Sequence, residues 1–248
     1  MRKSFAAILF ALLCCAFALK GQELKYYNAD NFPLIGKMSD ATDGRYARLP
    51  LSCKDVSEKW VWILGQDTPG LAIRFATNST TIAAKWTVRR NNSMSHMATV
   101  GVKGLDLYVM KNEKWRYVRC GRATKKVNET VIVSNMKGEM NEYMLYLPLY
   151  DGVEKLEIGV DEKAEMKQPQ IESPVTERPV ICYGTSITQG GCATRPGMVY
   201  TNILSRMLNR EVVNLGFSGY GHLEYEVAEL MTLRNPSVIV MDFIPNVS

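Results

Sequence analysis

Between residues 178 and 243 the chain alternates short apolar runs with helically spaced ones, and this alternation restricts the folds that can hold it. Arg178 to Tyr183, with Val180 and Ile181 at its centre, has the character of a buried strand. Met198 to Arg210 then carries apolar residues at Val199, Ile203 and Met207 and at Tyr200, Leu204 and Leu208, the i, i+4 spacing of an amphipathic helix. Glu211 to Leu215 is a second short strand, and Leu223, Val227, Leu230 and Met231 mark a second helix. Asn235-Pro236 stops that helix, because proline pushes the preceding residue out of the α region. Ser237 to Phe243 is a third run, almost wholly apolar, as expected of a strand covered on both faces. The order strand, helix, strand, helix, strand predicts a parallel sheet with right-handed crossovers.

In open α/β sheets ligand chemistry sits beyond the carboxyl ends of the strands. The first strand runs into Gly184-Thr185-Ser186 and then Gln189-Gly190-Gly191; the second ends in Gly216-Phe217-Ser218-Gly219-Tyr220-Gly221; the third ends in Ile244-Pro245-Asn246. Ser186, Gly219 and Asn246 are therefore expected on one rim. A serine attacking an ester carbonyl creates an oxyanion, and donors fixed around that oxygen supply a large share of the acceleration. The backbone N–H groups of Ser186 and Gly219 and the uncharged side-chain amide of Asn246 are candidate donors. Rival motifs fail on spacing. G-x-S-x-G needs glycine where Thr188 stands, no lysine follows Gly190 or Gly191 as a phosphate loop requires, and G-x-G-x-x-G is absent.

The segment Gly184-Thr185-Ser186 resembles the serine block of the SGNH (GDSL-type) esterases, with Thr in place of Asp. Asn214 to Gly219 resembles their glycine block, and Asp242 to Asn246 their asparagine block, in a D-x-x-P-N form rather than G-x-N-D. Upstream, Gly104-Leu105-Asp106-Leu107-Tyr108 resembles the G-x-D-L-Y signature of a domain fused to SGNH-type esterases. The resemblance implies a three-layer, flavodoxin-like α/β domain over residues 178–248 and a carboxylic ester hydrolase with Ser186, Gly219 and Asn246 in its catalytic set. It implies small acyl groups, acetyl among them, on carbohydrate alcohols as substrates. The chemistry requires no cofactor.

The family also carries a late D-x-x-H block, in which His activates the serine and Asp orients the His. No such block occurs up to Ser248, so the catalytic domain is expected to be incomplete at that point. The two histidines are His96 and His222. His222 follows the second strand's loop but opens a helix, whose positive dipole end opposes the imidazolium a base must become. His96 belongs to the other unit. Structural or surface roles are the readings for both. Asp242 reads as a structural hydrogen-bonding residue, and Arg195 as either a substrate contact or an exposed helix-start cation.

Residues 1–18 read as a secretory signal peptide: Arg2 and Lys3 are basic, Phe5 to Leu19 is apolar, and Ala16-Phe17-Ala18 is a small-x-small cleavage pattern. Cys14 and Cys15 lie inside it without the small residues that should precede a lipid-anchored cysteine. An exported protein, periplasmic or secreted, is expected, with no membrane span once the leader is removed. Residues 25–165 read as an all-β, jelly-roll-like sandwich. Its strands are expected at Trp60–Leu64, Leu71–Ala76, Ile82–Val88, Leu105–Met110, Trp115–Val118, Thr130–Val133, Tyr143–Leu149 and Lys155–Val160. Trp60, Trp62, Trp86 and Trp115 read mainly as core, with sugar stacking as the alternative. Asp106 has no role legible in sequence beyond holding a turn. Residues 166–177, within the polar stretch Lys163 to Glu177 with Pro169 and Pro174, read as the linker.

A chain of 248 residues with 46% hydrophobic content holds two modest domains. The net charge of +5 is partly the leader's, and no basic run with interleaved aromatics points to nucleic acid. Cys53, Cys120, Cys182 and Cys192 allow three full pairings; Cys182 and Cys192 flank the serine loop, as a brace or as free thiols. No His/Cys cluster has metal-ligand spacing. The leading expectation is an exported serine esterase acting on small-molecule or carbohydrate esters. The competing one is a secreted carbohydrate-binding or adhesive protein without catalysis.

Overall fold

The structure is a computed structural model that describes residues 23–247. The signal peptide, with Cys14 and Cys15, lies outside the described residues. Two antiparallel sheets form the N-terminal unit. One has the order β1 (Leu24–Asn28), β9 (Val153–Asp161), β4 (Ile82–Val88), β7 (Val127–Val133). The other has the order β10 (Met166–Lys167), β3 (Ala72–Thr77), β8 (Asn141–Tyr146), β5 (Leu105–Lys111), β6 (Lys114–Gly121), with β2 (Leu34–Ile35) also paired to β3.

Side chains alternate across a strand, so Ile82, Ala84, Trp86 and Val88 project from one face of β4. They meet Ile73, Phe75, Leu105, Leu107 and Leu145 of the opposite sheet in a single core. Trp86 is buried there because its indole N–H finds the Lys103 carbonyl at 3.1 Å, leaving no donor stranded. Trp115 is buried as expected too, whereas Trp60 is 49% exposed.

Trp60–Leu64 is not a strand. It lies in helix α1 (Lys59–Gly65), which the Glu58 carboxylate starts by accepting from the N–H groups of Trp60 (2.6 Å) and Val61 (3.2 Å). The run has no period-two alternation, and the cap decides its conformation. A further short helix unforeseen in sequence, α2 (Thr99–Lys103), precedes β5. The stretch read as a linker is held in place: Met166–Lys167 pairs with β3, and buried Glu142 accepts from the N–H groups of Gln170 (2.6 Å) and Ile171 (2.7 Å). Strand β8 stops at Tyr146, three residues before the expected end, and the buried loop Leu147–Asp151 turns toward the C-terminal unit.

That unit is a parallel sheet of order β12 (Arg210–Gly216), β11 (Val175–Gly184), β13 (Val238–Asp242). Helix α4 (Tyr200–Leu208) follows the 3₁₀ turn Pro196–Met198 and covers one face, with Tyr200 and Leu204 against Val180, Cys182 and Val212. It lays small polar residues on the sheet, including Thr201, Asn202 and Ser205, so Met207 and Leu208 of the expected apolar stripe stay exposed. Helix α5 (Tyr225–Thr232) covers the other face, where Val227, Leu230 and Met231 meet Ile181, Tyr183, Val213 and Leu215. Val61 of α1 joins this second cluster, so the two units share a core. Strand β13 departs from expectation: Val238 (52%), Ile239 (40%), Val240 (37%) and Met241 (47%) are exposed, since no described element packs over this edge.

Candidate active site

Register sets the rim. Gly184 lies opposite Gly216 on one side and Asp242 on the other, so the three loops leave the sheet at one level. A side chain at Gly184 would come within 2.6 Å of the Asp242 carbonyl, so only glycine fits this crossing. The chain then turns into the one-turn helix α3 (Ser186–Gln189), with Ser186 half-buried at its first position. The Ser186 carbonyl accepts from the N–H groups of Gly191 (2.7 Å) and Gly190 (3.0 Å) and from the Tyr150 hydroxyl (3.1 Å).

The second loop is stitched to the first. Phe217 N–H donates to the Gly184 carbonyl (2.8 Å), and Ser218 N–H to the Gln189 side-chain oxygen (2.8 Å). Tyr220 N–H closes a β-turn on the Phe217 carbonyl at 2.9 Å. Gly219 occupies its third position at φ +76°, which glycine adopts without strain. The turn's own hydrogen bond does not use the Gly219 N–H, and the space where a side chain would stand is open. The third loop closes the set. Asn246 donates through Nδ2 to the Tyr220 carbonyl at 2.5 Å, which engages one of its two amide hydrogens and leaves the other.

The structure thus brings the loops of Ser186, Gly219 and Asn246 together in one hydrogen-bonded group. Among the described residues neither histidine side chain is hydrogen-bonded to Ser186. The His222 ring leans on Tyr220, 5.7 Å between centroids, and its backbone N–H goes to Glu224. His96 is exposed, and its carbonyl faces Cys192 Sγ at 3.7 Å. Asp242 accepts from the Thr188 hydroxyl at 3.4 Å, which also pairs with the Tyr200 hydroxyl, and so has the structural role expected. Cys53, Cys120, Cys182 and Cys192 are all unpaired. Cys182 is buried in β11, where desolvation pushes its thiol up to about 11, and Cys192 is exposed, so no bridge braces the serine loop. Among the described residues no group of three or more His, Cys, Asp or Glu side chains is placed to hold a metal ion, and no helix is long and apolar enough to cross a membrane.

A family model described as the N-terminus of Esterase_SGNH_hydro-type, carrying the GxDLY motif, matches residues 24–166, and one described as the GDSL-like Lipase/Acylhydrolase family matches residues 177–248. The chain belongs to the GxDLY-bearing SGNH hydrolases. These are carboxylic ester hydrolases. A protein from Bacteroides ovatus described as a GDSL-like lipase is 37% identical and superposes with a TM-score of 0.86, covering 91% of this chain and 66% of its own. The salicylyl-acyltransferase SsfX3 from a tetracycline biosynthetic pathway shares the fold at 16% identity and a TM-score of 0.66, covering 89% of this chain and 62% of its own. The chain therefore spans just under two thirds of the length of each. No curated protein matches it.

Within this SGNH chain the GxDLY motif does not merely hold a turn. Asp106 is fully buried, and its carboxylate crosses to the C-terminal unit, accepting from Gly197 N–H at 2.8 Å and facing Arg195 Nε at 3.2 Å. Burial pushes its pKa up to about 6, with the Gly197 N–H and the Arg195 charge pulling the other way. Tyr108 completes the grip, with the Arg206 guanidinium 4.3 Å from its ring while Arg206 also donates to the Gly197 carbonyl at 2.7 Å. A side chain on Gly197 would come within 2.5 Å of Tyr108 and 2.6 Å of Asp106 Oδ2. Arg195 is therefore not a free helix-start cation: it faces Asp106 and lies over the Tyr117 ring at 4.2 Å.

A second contact invisible in sequence is Arg48, 1% exposed. It donates to the carbonyls of Asn214 (2.8 Å), Gly216 (3.1 Å), Asp67 (2.9 Å) and Leu64 (2.7 Å), and so satisfies backbone at the end of β12 just before the glycine loop. No spacing rule could have found it, because its partners lie up to 168 residues away.

Proposed function

We propose that the full-length protein is an exported serine esterase that removes small acyl groups, acetyl in particular, from carbohydrate alcohols. The observation that carries this reading is the hydrogen-bonded cluster of the three rim loops, with Ser186 at the start of α3 on the first, Gly219 in the turn of the second and Asn246 tying the third to Tyr220. Ser186 Oγ attacks the acyl carbonyl carbon and loses its proton to a base. The carbonyl oxygen becomes an oxyanion held by the N–H groups of Ser186 and Gly219 and by Asn246. Collapse expels the sugar alcohol, which takes the proton back, and water repeats the sequence on the acyl-enzyme. The base is proposed to come from a D-x-x-H block C-terminal to residue 248, as the family resemblance implies. The exposed β13, together with neighbours longer than this chain, supports a catalytic domain that continues past it into further layers of a flavodoxin-like sheet. Export rests on the leader pattern at residues 1–18.

The test is covalent capture. A fluorophosphonate probe incubated with the full-length protein should add its phosphonyl mass to the peptide containing Ser186 and to no other serine. Absence of labelling, with binding to acetylated polysaccharide retained, would favour the non-catalytic binding protein instead. For Asn246→Ala the expectation is a loss of roughly 10²-fold or more in kcat, judged by other oxyanion donors. A change confined to KM would count against its role.

A further inference from the structure

We infer that Tyr150 of the GxDLY domain is a positioning residue for the esterase reaction, holding the peptide unit of Ser186 from across the domain boundary so that the N-terminal domain forms part of the catalytic apparatus. This rests on Ser186 being the nucleophile.

The hydroxyl is presented by a rigid loop. Tyr150 is 6% exposed, its N–H donates to the Val102 carbonyl at 3.0 Å, and its own carbonyl accepts from the Asn92 side chain at 2.6 Å. Its ring packs with Leu149, Val102 and Val199, so backbone and ring are both fixed before the hydroxyl meets the Ser186 carbonyl at 3.1 Å. Burial raises the Tyr150 pKa, so the hydroxyl remains a donor to the serine loop at neutral pH.

Gln189 makes the same connection a second way. It is fully buried; its Nε2 donates to the Leu149 carbonyl at 3.2 Å and to Asp67 Oδ2 at 3.3 Å, while its oxygen accepts from Ser218 N–H. The loop Leu147–Asp151 thus reaches the nucleophile's peptide and the glycine turn together. The peptide after Ser186 is bonded to the Cα that carries Oγ, so holding its carbonyl anchors the position of that Cα, and misplacement of reacting groups by about an ångström costs on the order of 10²-fold in rate.

Tyr150→Phe in the full-length protein removes one of three donors to the Ser186 carbonyl and keeps the ring. The expected result with a short-chain aryl ester is a fall in kcat of about tenfold, with KM within about twofold and Tm unchanged. Gln189→Met, which keeps the volume and removes both ends of the bridge, should lower kcat at least as much. A kcat within about twofold of wild type in both variants, or losses that follow the loss of Tm, would overturn the inference. Ser186→Ala run alongside separates the two readings. If it keeps turnover, the nucleophile assignment fails. If it is inactive while Tyr150→Phe and Gln189→Met turn over normally, the assignment stands and the positioning role falls.

Discussion

Ser186→Ala in the full-length protein should abolish hydrolysis of a short-chain aryl ester, by about 10⁴-fold or more, and leave the fold intact. The size follows from the role: without the hydroxyl no acyl-enzyme forms, and only the oxyanion donors and substrate binding remain. The harmlessness to folding follows from the structure. The Ser186 residue is held through its carbonyl, by Tyr150, Gly190 and Gly191, and its hydroxyl makes none of the hydrogen bonds that join the described loops. Alanine is also well tolerated at the start of a helix turn. The expected pairing is an unchanged Tm with turnover at background. Turnover equal to wild type would remove Ser186 from the mechanism.

What sequence conveyed about this rim was the part that depends on local periodicity. The strands ending at Gly184, Gly216 and Asp242 were legible because each is a short apolar run broken by glycine or proline, and their order fixes the parallel pairing that puts the three loops side by side. Most strands of the N-terminal unit were legible for the same reason, Ile82–Val88 to the residue. Trp60–Leu64 failed because five apolar residues in a row carry no period, and the choice fell to one capping carboxylate, Glu58. The β13 strand looked buried because hydrophobicity records what a strand is suited to contact, not what is present to cover it. Tyr150, Gln189 and Arg48 carried no signal at all. Tyr150 meets Ser186 36 residues away, Gln189 meets Asp67 122 away and Arg48 meets Gly216 168 away, and a tyrosine, a glutamine and an arginine are unremarkable until the fold buries them against such partners. The GxDLY motif was legible as a mark and opaque as a mechanism, because Asp106 acts on Gly197, on the far side of the domain boundary.

The Asp106 contact leads to the second large effect. Asp106→Ala should destabilise the full-length protein by about 3 kcal/mol at neutral pH, because it strands the buried Gly197 N–H and takes from Arg195 its carboxylate partner. Asp106→Asn keeps the volume and an oxygen for Gly197, so it should cost far less, and its pH dependence reports which force rules the site. Burial is the larger influence on Asp106 and raises its pKa from 3.8 to about 6. The folded protein therefore binds this proton more tightly than the unfolded chain does. The resulting stability is fully present below about pH 4 and is lost as the pH rises through about 6, some 3 kcal/mol in all. Urea unfolding of wild type and Asp106→Asn at pH 4, 5, 6 and 7 should accordingly show the wild type losing its advantage over the variant across that window and holding level above it. The opposite slope, with wild type gaining on the variant as the pH rises, would mean that attraction to Arg195 outweighs desolvation. The GxDLY carboxylate would then be a net electrostatic latch between the domains, and the tight steric fit around Gly197 would be secondary to it.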